Sequence, residues 1–243
     1  MIYKSIGIFL GIVCIAYSKN TLPSMPVSTF SIIARDSETN ELGIAVQSKF
    51  IAVGSVVPYA KAGVGAVASQ AWGNVQYGPV GLKLLSQDKN TEQVIDLMIK
   101  ADPLQKHRQV AIINKDGNTS NHTGTECLNW AGARTGKDFS VQGNLLTGPE
   151  VVEAMAKSFQ KSSGFLAERL IEALRAGQAA GGDKRGMQSA ALLVVKENWG
   201  YGGLNDRFRD LRVDEHSNPI EELNRIYKIH RKTFPRPDQY VKP

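Results

Sequence analysis

The run SAALLVV (Ser189–Val195) constrains this chain more than any other stretch, because seven consecutive apolar or small residues give a strand no polar side to turn toward water. Such a strand must be covered on both faces. The sequence around it supplies the cover in a telling order. Four strand-like runs come first, TFSIIAR, then ELGIAVQS after the turn DSETN, then IAVGSVVP and GVGAVASQ, and they read as an antiparallel meander. Two helical stretches follow at residues 79–86 and 91–101. The second opens on the capping pair Asn90 or Thr91 and carries Val94, Ile95, Met98 and Ile99 on one face. Strands return at residues 108–114 and 138–143, and two amphipathic helices follow at residues 150–161 and 165–176, stopped by the glycines of AGQAAGG. SAALLVV, a strand-like FRDLRVD and a helix over residues 219–232 close the pattern.

Strands, a helix pair, strands again and a second helix pair predict an α+β chain in which two stacked antiparallel sheets carry helices on both outer faces. A doubly wound parallel sheet would alternate strand and helix strictly, and this chain does not. With 243 residues and 42% hydrophobic content, one domain is the expected unit. The net charge of +6 is scattered, without the basic runs interleaved with aromatics that a nucleic-acid surface shows, so no nucleic-acid partner is expected.

The first residues carry an early lysine, then the apolar run from Ile6 to Tyr17, with small Ala16 and Ser18 at its end. This predicts a secretory signal peptide over 1–18, too short to span a bilayer, and a secreted or periplasmic protein with no stable membrane insertion once the signal is removed. Residues 19–28, with two prolines, read as an extended spacer. The domain is then expected over 29–232 and a tail over 233–243. Cys14 leaves with the signal, so a mature chain keeps Cys127 alone and relies on its core rather than on disulfides.

Several motifs have simpler readings. GVGAVA fits a dinucleotide turn, yet AVASQAW reads on as strand. SFQK and RTG imitate penicillin-binding enzymes in the wrong order, and no G-x-S-x-G elbow is present. The four histidines are far apart with a single companion cysteine, so no built-in zinc site is expected. NTS and NHT, at Asn118 and Asn121, are glycosylation sequons only in a eukaryotic context.

What remains is Thr29, at the edge of the first strand. A threonine hydroxyl becomes a usable nucleophile when the residue's own α-amine is free to act as its base. That chemistry needs the preceding peptide removed and a cation nearby. On pattern alone, a β-branched residue at a strand start is also commonplace.

The segments TFSIIARDSETNELGIAVQSKFIAVGSVVPYAKAGVGAVASQA, RQVAIINKDG, TGTECLNWAG, FSVQGNLLTG, QAAGGDKRGMQSAALLVV and YGGLNDRFRDLRVDEH together resemble domain-of-unknown-function family 1028, within the N-terminal-nucleophile (Ntn) hydrolase superfamily. The resemblance runs from Thr29 to about His230 and implies a four-layer αββα sandwich. It implies catalytic roles for Thr29 as nucleophile, for Lys61 in VPYAKAG as the cation that keeps the amine neutral, for Asn144 in VQGN as an amide donor to an oxyanion, and for Asp183 in GGDKRGMQS as a partner of the α-amine. Where superfamily members carry an acidic residue after the second strand, this chain has Ser48 and Lys49, which with Arg185 are expected to bind substrate. The function so implied is a secreted amidohydrolase cleaving a peptide or small amide, with no metal or organic cofactor implied and with a homo-oligomer left open. The alternative is a non-catalytic ligand-binding protein on the same scaffold, in which the Ser28–Thr29 bond is never cut.

Overall fold

The computed structural model describes residues 25–239; the expected signal peptide and most of the spacer lie outside them. The first strand, β1 (Thr29–Arg35), pairs antiparallel with β2 (Leu42–Ser48) across the DSETN turn. Instead of extending that meander, the chain leaves the sheet. Residues of IAVGSVVP form a short 3₁₀ turn at Val53–Ser55, with Val53 and Val57 fully buried, and β3 (Pro58–Lys61) starts a second sheet. The apolar run predicted as a strand is therefore a plug between sheets. The reason is visible in Ala52, whose positive φ of 53° turns the backbone out of an extended path.

β3 pairs with β4 (Gly65–Ala71). The helices α1 (Tyr77–Leu85) and α2 (Thr91–Lys100) follow, and α2 is closed at its start by a capping box between Asn90 and Gln93. β5 (Arg108–Asn114) and β6 (Thr119–Thr123) complete this sheet, in the order β3-β4-β5-β6. The chain then returns to the first sheet through β7 (Gly132–Gly136) and β8 (Phe139–Gly143). The helices α3 (Glu150–Lys161) and α4 (Leu166–Ala179) lead to β9 (Ser189–Val195), β10 (Arg207–Val213) and α5 (Pro219–Thr233). The six strands lie in the order β10-β9-β2-β1-β8-β7.

Three separate cores hold four layers together. Phe30, Val141, Leu170 and Leu174 belong to the one between the six-stranded sheet and α3, α4 and α5. Ile33, Ile44, Ala68, Ile113 and Leu193 fill the space between the sheets. Val67, Val94, Met98 and Ile112 seal α1 and α2 onto the four-stranded sheet. This is the expected αββα sandwich, and β9 is buried along its whole length as SAALLVV requires. After α5 the chain stays docked, because buried Arg236 pairs with buried Glu41 at 2.7 Å. No helix of the described residues is long and apolar enough to cross a membrane.

Candidate active site

Side chains of β1 divide between two layers as strand geometry demands. Phe30, Ile32 and Ala34 join the helix-facing core, which turns Thr29, Ser31 and Ile33 toward the other sheet. One end of the inter-sheet layer is consequently polar. Register sets Thr29 opposite Ser48, and Ser48 opposite Ser189, so three hydroxyls share one row across β1, β2 and β9. Thr29 is fully buried, with Oγ1 2.7 Å from the carbonyl oxygen of Val27 and 3.0 Å from Ser48 Oγ.

The Ser28 carbonyl, which belongs to the peptide bond just before Thr29, is held from two sides. Ser48 Oγ donates to it at 2.6 Å and Arg185 Nη2 at 2.7 Å. Arg185 is itself fixed by a two-pronged pairing with Asp183, Nε to Oδ1 at 3.0 Å and Nη2 to Oδ2 at 2.7 Å. The Asp183 side chain is wholly buried, and the backbone amides of Lys49 and Arg185 also donate to it. A hydroxyl and a guanidinium thus polarise one peptide carbonyl while a threonine hydroxyl waits beside it. Donors arranged in advance around a carbonyl are what an oxyanion needs.

The residues ahead of that bond are clamped. Val27 bridges to Ala71 at the end of β4, donating to its carbonyl at 2.6 Å and accepting from its amide at 3.0 Å. Val27 and Ser28 are buried, and Ser28 Oγ has no hydrogen-bond partner. The Ser28–Thr29 peptide bond therefore lies between buried residues on both sides.

Behind Thr29 runs a buried hydrogen-bond chain that the sequence reading missed. Ser140 Oγ donates to Gln142, Gln142 Nε2 to Ser31, and Ser31 Oγ to Gln70. Gln70 Nε2 then donates to Gln109 at 2.8 Å and to the Thr29 carbonyl at 3.3 Å. Gln109 Nε2 continues to the Gly143 carbonyl at 2.9 Å. All of these side chains are fully buried. Such a network rigidifies whatever it supports, provided that its members are satisfied. A signal for it was present in strand alternation: Gln70 shares a face with Ala66 and Ala68, and Gln109 with Ala111 and Ile113, so both stand where apolar residues are due.

Of the expected residues, Thr29, Ser48, Asp183 and Arg185 come together. Lys49 joins through its backbone, while its Nζ reaches the Met187 carbonyl at 3.2 Å. Asn144 stands beside Thr29, its backbone amide donating to the Thr29 carbonyl at 3.0 Å, but its Nδ2 is committed to Gln109 at 3.0 Å. Its Oδ1 is buried without a partner. Lys61 is not brought to the cluster. It is exposed and pairs with Gly65, whereas the residue of β4 that bridges to Val27 is Ala71, six residues or about 20 Å further along the strand. The cation beside Thr29 is Arg185.

A family model described as a family of unknown function, DUF1028, matches residues 29–223. Among solved structures, the chain is similar to protein SPO2555 from Silicibacter pomeroyi, described by the same family. It is 30% identical, with a TM-score of 0.77 over 84% of this chain and 89% of that one. A fainter likeness is to Anbu, an ancestral beta-subunit from Yersinia bercovieri, 10% identical over 88% of this chain and 99% of that one. Its TM-score of 0.38 is too low to carry an argument. No curated protein matches the chain.

Proposed function

The chain belongs to the DUF1028 family, whose function is unknown, and from its own geometry we propose a self-processing N-terminal-nucleophile amidohydrolase in which Thr29 is first the cutter and then the catalyst. The observation that carries this reading is the Ser28 carbonyl, held by Ser48 and Arg185 within reach of a buried threonine hydroxyl. In the first step Thr29 Oγ1 attacks the Ser28 carbonyl carbon and forms a C–O bond. Its proton passes to Ser48 Oγ, and the proton of Ser48 passes to the carbonyl oxygen as the negative charge gathers there. The C–N bond then breaks, the Thr29 nitrogen takes the proton back, and an ester links Ser28 to Thr29. Water hydrolyses that ester, leaving a Ser28 carboxylate and a free Thr29 amine.

The freed amine is the base that a threonine nucleophile requires. Departure of Val27 and Ser28 also uncovers the Ala71 backbone amide and carbonyl, together with Arg185 and Ser48. An extended acyl chain with a small residue next to the scissile amide fits the places that Val27 and Ser28 vacate, so the substrate class is a peptide or N-acyl amide. The apolar run at Ile6–Tyr17 supports export as a secreted or periplasmic protein.

Intact mass and N-terminal sequencing of the purified full chain test the first step. Wild type converts to a chain beginning at Thr29 at a rate independent of protein concentration, and Thr29→Ala does not. An amide-mimicking electrophile then labels the new terminus. A folded wild-type chain that keeps its Ser28–Thr29 bond and stays unlabelled overturns the reading and favours the ligand-binding alternative.

A further inference from the structure

At the far end of the six-stranded sheet from Thr29, a cavity of about 330 Å³ opens between β10, the end of α5 and the loop around residues 198–205. That volume lies within the range of small-molecule sites. Aromatic rings make much of its wall: Trp199 and Phe208 meet edge to face at 5.0 Å, and Tyr201 and Phe234 at 6.1 Å. Tyr201 is largely exposed and Phe234 partly so, as are few rings of a closed core.

Arg209 lies in this wall and is only 1% exposed. A β-bulge between Arg207 and Arg209 puts it there. Phe208, Leu211 and Val213 all enter the helix-facing core, so the bulge places two consecutive side chains, Phe208 and Arg209, on the inner side of the strand. Bulges of this kind re-aim a side chain and concentrate near functional sites. Once inside, the guanidinium makes no direct ion pair, and the Glu41 carboxylate acts on it only from a distance. Nη1 reaches His230 Nδ1 at 3.0 Å, the guanidinium lies 3.6 Å over the Phe208 ring, and Nε is buried without a partner. Among the described residues no carboxylate pairs with Arg209, and none lines the cavity. Glu41 is engaged with Arg236, and Asp210 with Arg207 and Arg212.

A buried cation without a directly paired anion is costly, and burial, which outweighs the distant Glu41 carboxylate, pushes the Arg209 guanidinium down to about 10. Burial, with Arg209 beside it, also lowers His230, which favours the neutral imidazole able to accept from Nη1. Aromatic walls around an unpaired arginine define a ligand with a flat apolar body and one negative charge.

We propose that this cavity is a binding site for a small aryl carboxylate, whose anionic group pairs with Arg209 and whose ring packs among Trp199, Tyr201, Phe208 and Phe234. The site is separate from Thr29 and does not depend on its chemistry.

The test titrates the full-length protein with benzoate, phenylacetate and indole-3-acetate, and with benzamide and benzyl alcohol as neutral counterparts, reading tryptophan fluorescence. At least one acid gives saturable quenching and binds about tenfold or more tightly than its neutral counterpart, the scale of one charge-assisted hydrogen bond. The signal disappears in Trp199→Phe. Arg209→Met equalises acid and neutral probe, and Phe234→Ala, at a half-open wall position, weakens both. Should Arg209→Met fail to fold, the acid preference of wild type together with the Phe234→Ala loss decides the matter. No saturable response up to about 10 mM, or equal binding of acids and neutral probes by wild type, overturns the proposal.

Discussion

Arg185 is the residue whose removal separates the proposed chemistry from simple burial of Thr29. Arg185→Met alone would strand the buried Asp183 carboxylate, so the informative protein pairs it with Asp183→Asn. That pair leaves no charge uncompensated. Appearance of the chain beginning at Thr29, followed by mass against time, slows by about 10² or more, as expected for loss of one donor to a developing oxyanion. An unchanged rate removes Arg185 from the mechanism. Cys127 offers a second reading at this scale. It is 8% exposed, its Sγ donates to the Arg108 carbonyl at 3.4 Å, and burial pushes the thiol up to about 11. The native protein therefore resists iodoacetamide at neutral pH, and unfolded protein reacts. Because the folded value is raised, the unfolded thiol ionises first as pH passes about 9, so stability falls between about 9 and about 11, by about 2 to 3 kcal/mol. Urea midpoints across that range, compared with those of Cys127→Ala, check the sign. Thr29 could be singled out from its place at the edge of the first strand, but Ser48, Asp183 and Arg185 were reachable from the sequence only through the family resemblance. Nothing in local pattern brings positions more than a hundred residues apart to one carbonyl.

Among the elements, those with a strong apolar period were legible: α3 and β9 have the predicted bounds, and β5 begins and ends at the expected residues. β6, TSNHT, and β7, GARTG, escaped notice. Each is the edge strand of its sheet, only partly buried, with no apolar alternation to announce it. The same logic explains IAVGSVVP, where apolar residues mark burial but not conformation. One polar hub ties these elements together. Asp102, just past α2, accepts from Asn74 at 3.0 Å, from Tyr77 at 2.9 Å and from Arg108 at 2.9 Å, joining α1 and α2 to the start of β5. Burial alone would raise the Asp102 carboxyl, but Arg108 and Asn74 hold it below the usual carboxylate range. A depressed carboxylate contributes stability that is present above the unfolded value of 3.8 and is lost as pH falls through the folded value. Asp102→Asn leaves Arg108 buried without its anion and costs about 3 to 5 kcal/mol in urea unfolding at pH 7. It also flattens the acid limb of the stability curve. A loss below about 1 kcal/mol would show that the hub is dispensable.

For the whole molecule, four layers mean that the inter-sheet core is the one shared by both halves. Leu193 sits there, 3% exposed, and Leu193→Ala costs about 2 to 5 kcal/mol of unfolding free energy. A loss under about 1 kcal/mol would place β9 at a relaxed margin instead of the interior. At the polar end of the same space, Val27 leads into one sheet and bonds to Ala71 of the other. On the proposed mechanism the bond after Ser28 breaks only when both sheets have come together around it, and the break is irreversible. Each molecule would then carry a permanent record of having folded once: a threonine at its front marks a chain that closed, a longer front marks one that never did. The ratio of the two termini in a cell extract becomes a count of folding successes, legible long after the event.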